Sequence, residues 1–380
     1  MRARTLAAPA LLLAAAALVA TPAVAAPGAP AAHRPHVSFS YLGETELPHA
    51  QQFRGTTVGG LSGISWDRRT GQYLLISDDR SATNPARVYT ARISASKGRV
   101  AASITNTRPL RQPDGSTYPA TSADGSTVAP DPEGVAVDPL HERFAWSNEG
   151  ERRTDPLVLA DPTVRIADTD ARTVLEAPKA PQLHMNAQQV GPRQNQALEG
   201  LSYSPDGRAL FSGMEDPLYQ DGEDPAPDRG ALVRITRHDA TTALPVAQYA
   251  YRLQPLFEAG PAGSTNGLSD LVSLGGSRFL MLERAFTTRD VVRVYEADAS
   301  RATDVLDRDS LAGRPAPVPM TKRLVVDLSK VRGLPKLDNV EGITLGPRLK
   351  DGRRLVVLVS DDNFSASEVT QFIAFAAKGL

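Results

Sequence analysis

Acidic residues recur at matching places along this 380-residue chain, and their type and spacing point to oxygen-ligand chemistry. One set opens an alternating apolar run: Glu133, Glu199, Asp270 and Glu341, with Ser62 at the corresponding level of the first run. A second set closes the apolar run that follows: Asp79, Glu149, Glu215, Glu283 and Asp362. Asp78, Asp131, Asp216 and Asp361 stand beside them, as do Arg80, Arg152, Arg153 and Arg284. Carboxylates held close together raise one another's pKa or recruit a counter-ion. A donor set of oxygens without His or Cys suits a hard cation, and Ca2+ tolerates the irregular geometry of a ring of loops. The expected metal ligands are Glu133, Glu149, Glu199, Glu215, Glu341, Glu283 and Asp270. Asp79 or Asp362 is the expected general base. Arg80 and Arg284 are placed to hold an anionic group or developing charge, for which the fixed fork of guanidinium donors is suited. Any one such acid is more often a hairpin cap; convergence of the whole set on one opening is what gives it chemical meaning.

That convergence depends on the elements that carry the acids. Five units share one pattern, in which a small or acidic residue, an alternating apolar run, a turn and a second apolar run end in an acid. They pair residues 61–66 with 75–79, 132–137 with 145–149, 198–203 with 211–215, 268–273 with 279–283, and 340–345 with 358–362. The equivalent positions Gly63, Gly134, Gly200, Asp270 and Gly342 lie 71, 66, 70 and 72 residues apart. The joining turns include Pro205-Asp206-Gly207, Gly275-Gly276 and Asp351-Gly352, which favour β-hairpins because Gly tolerates positive φ. A third apolar run follows each pair, and a fourth is visible at 249–253 and 323–328. The reading is all-β: a single β-propeller of four-stranded antiparallel blades, five favoured over six, with an unrelated sandwich as the alternative architecture. The lone strand at 36–46 is expected to supply the outer strand of the last blade and so hide its edges. In a blade the start of the innermost strand and the end of the second open on the same face, so both acidic sets should surround one mouth of the channel.

Composition narrows the function. With no Cys there is no disulfide, thiolate zinc site, iron–sulfur cluster or cysteine nucleophile, and six His are too scattered for a multi-histidine site. A formal net charge of −1 disfavours a general nucleic-acid binder. No G-x-S-x-G elbow, Walker or dinucleotide motif occurs. Trp66 and Trp146 read as packing residues, His184 as a loop residue within reach of the mouth, and the acidic stretch 220–229 as a solvated loop. Arg2 and Arg4, the Ala/Leu run 6–20 and the small residues up to Ala26 form a secretory signal peptide over 1–26, cleaved near Ala25 or Ala26. A Pro/Ala linker follows at 27–35, and the propeller is expected over 36–380. No later segment is apolar enough to span a membrane, so the mature chain is expected outside the cytoplasm.

The motifs Gly-Leu-Ser-Gly-Ile-Ser (60–65) with Leu-Ile-Ser-Asp-Asp-Arg (75–80), Pro-Glu-Gly-Val-Ala-Val (132–137) with Ser-Asn-Glu-Gly-Glu (147–151), Leu-Glu-Gly-Leu-Ser-Tyr (198–203), and Val-Glu-Gly-Ile-Thr-Leu (340–345) with Val-Ser-Asp-Asp-Asn (359–363) together resemble the bacterial phytase-like family, described by its esterase-like activity. The resemblance spans about residues 41–375. It implies an exported propeller hydrolase acting on a small ester or phosphoester, and Ca2+ as the cofactor, since the β-propeller phytases bridge carboxylates and substrate phosphate with several Ca2+ ions. The Asp-Asp-Pro-Ala signature associated with those enzymes is absent, so the resemblance bears more on fold than on phytate hydrolysis. The Glu-Gly strand starts also look like those of the lactonase propellers, in which one channel Ca2+ activates substrate. A metal-assisted hydrolase of phosphoester or carboxylic ester, monomeric and independent of nucleic acid, is the leading expectation; a lactonase-type enzyme or a propeller that binds without turnover are the alternatives.

Overall fold

Alternating apolar residues broken by Asp-Gly and Gly-Gly turns can bury one face of a strand against each neighbour, and the chain uses this in every unit. The computed structural model describes residues 36–380, so the expected leader and linker at 1–35 lie outside the described residues. Five four-stranded antiparallel sheets follow one another along the chain. Blade 1 comprises Leu61–Asp67, Gln72–Ser77, Arg87–Ser96 and Arg99–Pro109. Blade 2 comprises Pro132–Val137, Arg143–Asn148, Thr163–Asp168 and Thr173–Glu176. Blade 3 comprises Leu198–Tyr203, Ala209–Met214, Leu232–Asp239 and Pro245–Arg252. Blade 4 comprises Thr265–Gly275, Arg278–Phe286, Asp290–Asp298 and Thr321–Asp327. Blade 5 comprises Val340–Arg348, Arg354–Ser360 and Gln371–Lys378, and Ser38–Glu46 completes it as the outer strand. The innermost strands neighbour one another in a closed ring, the fifth returning to the first. The fold is a five-bladed β-propeller, closed as the sequence leads one to expect.

Two features carry no strong sequence signal. A hairpin of Glu151–Thr154 and Leu157–Ala160 is inserted between the second and third strands of blade 2. The outer strands of blades 1 and 2 are mostly half-exposed, and their mixed polar sequences lack the apolar run that marks the inner strands. Among the described residues, helical structure is confined to three short 3-10 segments, and no helix is long and apolar enough to cross a membrane.

The core is a series of apolar layers between successive blades. Leu74, Ile76 and Val88 of blade 1 pack with Val135, Phe144 and Trp146 of blade 2, and Trp146 is fully buried, as a packing residue should be. Phe211 of blade 3 meets Phe279 of blade 4 edge to face, with ring centroids 4.8 Å apart. The closing strand is fastened by Phe39 and Tyr41 against Phe375, at 5.4 and 5.6 Å.

At the channel the blades approach more closely than side chains permit. A Cβ on Gly134 would lie 2.2 Å from the Glu199 carbonyl oxygen of the next blade, and one on Gly63 would lie 2.5 Å from that of Glu133. Glycine at this position, present in four of the five innermost strands, is therefore what lets neighbouring blades come so close to the axis. A Gly134→Ala variant should lose about 2 kcal/mol or more, because the obstructing atom is backbone and cannot rotate away. Thermal unfolding checks this, and an unchanged melting temperature would contradict the close-approach argument.

Candidate functional site

Each innermost strand breaks register at the same place: between Leu61 and Gly63, Pro132 and Val135, Leu198 and Leu201, Leu268 and Asp270, and Val340 and Gly342. A bulge re-aims the side chain it carries. The re-aimed positions are Ser62, Glu133, Glu199, Ser269 and Glu341. A second level is set by the residue that follows the paired end of each second strand. Asp78, Glu149, Glu215 and Asp361 donate their backbone N–H to Gly60, Asp131, Ala197 and Asn339, at 2.7 to 3.0 Å. In blade 4 the corresponding residue is Arg284, opposite Gly267. The mouth is thus built from two five-membered levels, acidic except for two serines and one arginine.

Asp78, Asp131, Glu133, Glu199, Glu215, Glu341 and Asp361 line a cavity of about 360 Å3 with Arg80, Arg284, Asn195, Gln196, Thr265 and Asn363. Glu149 lies just behind, 1% exposed. Two groups of three carboxylates place one oxygen each within 4.8 Å of one another: Asp131, Glu133 and Glu149, and Glu149, Glu199 and Glu215. Glu149 belongs to both. Arg284 sits 3.4 Å from both Glu215 and Glu341. Arg80 is 3.4 Å from Asp131 and also bonds Glu151 of the inserted hairpin.

Burial is the main force on these carboxyls, and their neighbours add to it. Burial and then Glu199 and Asp131 push Glu133 well above the carboxylate range. Burial and then Asp131 and Glu215 do the same to Glu149, and burial with Glu149, Glu215 and Glu341 to Glu199. Asp131 is raised to about 6 by burial against the pull of Arg80, and Glu215 to about 7 by burial against that of Arg284. For Arg284 itself burial works against the charge, but Glu341, Glu215 and Glu199 overcome it and hold the guanidinium firmly protonated. Asp78 and Asp361 are also raised, by burial first. One Asp78 carboxyl oxygen is buried without a hydrogen-bond partner.

Of the residues singled out from the sequence, the structure gathers Glu133, Glu149, Glu199, Glu215, Glu341, Arg80 and Arg284 at this mouth. It places the remaining four elsewhere. Asp79 is enclosed by the N–H groups of Ala82, Thr83 and Asn84 and by buried Arg87 at 2.6 Å. Asp362 accepts from the N–H groups of Gly60 and Phe364. Glu283 takes bonds from Tyr251, Gln254, Asn266 and Lys322. Asp270 stands at the glycine position of blade 4 and accepts from the N–H groups of Leu201, Leu271 and Ile343, joining three blades; burial raises its pKa to about 8. Asp79, Asp362 and Asp270 chiefly fasten backbone, and Glu283 joins one backbone N–H to three side chains. His184 bonds Asp161 rather than lining the mouth, and in the acidic stretch 220–229 Asp221 is buried against Arg234 at 2.6 Å.

Asp78 and Asp361 take the cavity positions in place of Asp79 and Asp362. Strand alternation decides this, since successive side chains point to opposite sides. The sequence carried the signal: Gly63 to Asp78, Gly134 to Glu149 and Gly200 to Glu215 are each 15 residues apart. Asp131 has no counterpart in spacing, since the equivalent places hold Gly60, Ala197, Gly267 and Asn339.

The sequence profile of the phytase-like family, described as esterase-like activity of phytase, matches residues 56–364. The chain belongs to the phytase-like family. All the mouth residues fall inside that match. No curated protein matches the sequence. Among solved structures, a GH43 β-1,3-galactosidase is similar at 10% identity and a TM-score of 0.45, covering 87% of this chain and 94% of that one. The WD40 repeats of RRP9 are similar at 8% identity and a TM-score of 0.38, covering 89% and 100%. A hydrazine synthase of Kuenenia stuttgartiensis aligns at 13% identity and a TM-score of 0.32, covering 84% and 98%. At these scores none of the three bears on the site of a phytase-like protein.

An all-oxygen donor set, buried and with one carboxylate shared between two groups, fits a hard divalent cation. The raised pKa values give this a measurable consequence. Unfolded carboxyls titrate near pH 4, whereas Asp131 and Glu215 hold their protons to about 6 and about 7. Between those limits the native state binds more protons, so the stability these groups contribute is fully present below about pH 4 and is lost as pH rises through their native pKa values. In EDTA the melting temperature should fall from pH 5 to pH 8, and added Ca2+ should reverse the fall at pH 8. A melting temperature that rises with pH in EDTA would contradict the electrostatics described.

Proposed function

We propose that this chain is an exported, metal-assisted hydrolase of phosphoesters or carboxylic esters, with its site at the acidic mouth and Ca2+ as its cation. The observation that carries the reading is the pair of three-carboxylate groups sharing Glu149, in a cavity that also holds two arginines. Asp131, Glu133, Glu149, Glu199 and Glu215 would hold the cation. Bound there, it would supply Lewis-acid polarisation of the ester and a bound water of lowered pKa.

The chain's own groups do the rest. Arg284, fixed between Glu215 and Glu341, presents a permanent positive charge to an anionic group or to charge developing on the scissile oxygen. Arg80 does the same from the opposite side of the ring while anchoring the inserted hairpin through Glu151. Asp78 is the candidate proton-transfer group, since it lines the cavity with one oxygen unbonded. Asp79 has both oxygens committed to backbone amides and Arg87, and Asp362 has one oxygen committed to two backbone amides, which suits holding the loops that carry Asp78 and Asp361. The basic start and Ala/Leu run of residues 1–26 support export, and the family supports a small-molecule substrate; the chain is taken to act as a monomer.

Hydrolysis of p-nitrophenyl phosphate, p-nitrophenyl acetate and phytate after EDTA treatment, and again with Ca2+ restored, tests the proposal. Turnover of at least one should vanish with EDTA and return with Ca2+, without unfolding. Glu199→Gln should lower that activity about a hundredfold or more, since loss of an outer-shell partner alone costs 10–100-fold. Silence on all three by folded, Ca2+-loaded protein, or full activity in Glu199→Gln, would overturn it in favour of a lactonase-type substrate or binding without turnover.

A further inference from the structure

A second cavity, of about 510 Å3, lies on the flank between blades 1 and 2. Its walls include the turn residues Arg69 to Gln72, which join the first two strands of blade 1 at the end away from the mouth, and it shares no residue with the mouth cavity. The volume falls within the range of small-molecule sites.

The register of blade 1 determines what faces this groove. Thr90 pairs with Asn106, and Val88 with Arg108. Residues two apart on a strand share a face, so Val88, Thr90 and Arg92 project together, alongside Asn106 and Arg108. That face looks toward blade 2, because Val88 packs in the same cluster as Phe144.

Four arginines line the groove, but two are already committed. Arg69 donates to the Asp138 carbonyl at 2.7 Å and lies 3.5 Å from Asp67. Arg143 donates to the Asp138 carboxylate at 2.8 Å and to the Ala240 carbonyl at 3.0 Å. Among the described residues, the side chains of Arg92 and Arg108 form no hydrogen bond and no ion pair. The acids nearby bond neither of them. Asp67 is bonded to Arg69 and Thr70, Asp168 to Arg172, and Glu142 and Asp170 bond neither arginine. Burial lowers the Arg108 pKa against the opposing pull of Asp170 and Asp168, as expected of a half-buried cation without a bonded counter-ion. The Asn106 side-chain oxygen accepts from Arg54, which leaves its NH2 group to donate.

We propose that this groove binds a small phosphorylated anion, with Arg92 and Arg108 as its charged contacts and Thr90 and the Asn106 amide as further donors. Two guanidinium forks beside neutral donors match the several equivalent oxygens of a phosphate, and charge-assisted bonds of this kind are the strong ones. The site is independent of the chemistry proposed for the mouth.

Pyrophosphate titrated calorimetrically into the full chain in EDTA at low salt tests this, EDTA removing any cation that could bridge pyrophosphate to the mouth and the Glu199→Gln variant reporting on binding there. Wild type should bind one pyrophosphate. Arg92→Gln and Arg108→Gln should each weaken binding about tenfold or more, and the double variant should abolish it. Glu199→Gln at the mouth should leave it unchanged. Arg92 is exposed, so its variant keeps the test valid if substitution of Arg108 disturbs folding; melting curves distinguish the two cases. Wild-type affinity in the double variant, loss of binding in Glu199→Gln, or no binding at about 10 mM pyrophosphate would each overturn the proposal.

Discussion

The close approach of five innermost strands around one narrow channel governs the rest of this molecule. Where backbones meet at such a distance a Cβ has no room, and glycine occupies the contact at 63, 134 and 200, while at 342 it leaves room first for the Val359 side chain. The extra residue of the bulge comes immediately before, and its side chain has to leave the crowded channel wall. The recurring Glu-Gly pair is therefore a single steric device, in which the glycine admits the neighbouring blade and the glutamate is turned out into the mouth. Blade 4 departs from it. Asp270 stands where glycine would, and its carboxylate uses the space to accept backbone N–H groups from three blades.

Gathering carboxylates in this way carries an electrostatic cost. Buried like charges favour the protonated forms, and the raised pKa values of Glu133, Glu149 and Glu199 express that. Partial relief comes from inside the ring. The position that is acidic in the other four blades is Arg284 in blade 4, paired to Glu215 and Glu341 on either side. The two three-carboxylate groups lie on the side of blades 2 and 3, where, among the described residues, no arginine is paired to Glu133, Glu149 or Glu199. Arginine reaches only one member of each group, Asp131 through Arg80 and Glu215 through Arg284.

The fold was largely legible in the sequence because a propeller repeats its signals. Apolar alternation, Gly-containing turns and a spacing of 66 to 72 residues each mark a blade independently. The site was legible by region and less so by residue. Glu133, Glu199 and Glu341 follow from the Glu-Gly pair, whereas in Asp78-Asp79 and Asp361-Asp362 two identical residues compete for one position and only strand phase separates them. Glu283 looks like a ring member from its place at the end of an apolar run, yet the second strand of blade 4 continues to Phe286, which moves the equivalent position on to Arg284. Asp131 and the inserted hairpin belong to single blades, and repetition offers no help with features that occur once.

The closing strand sets the order in which this chain can become whole. Its pairing joins Ser38 to Lys378 and Glu46 to Gln371, the longest sequence separations in the molecule. Hairpins within blades 1 to 4 need only local contacts and can form as the chain emerges, but this pairing must wait for the final strand. Until then blade 5, which supplies Glu341 and Asp361 to the mouth, lacks its outer strand and keeps an unpaired edge. The full ring around the mouth is therefore completed last, after the carboxylate groups of blades 2 and 3 are in place. A chain carried unfolded across a membrane would acquire it only on the far side.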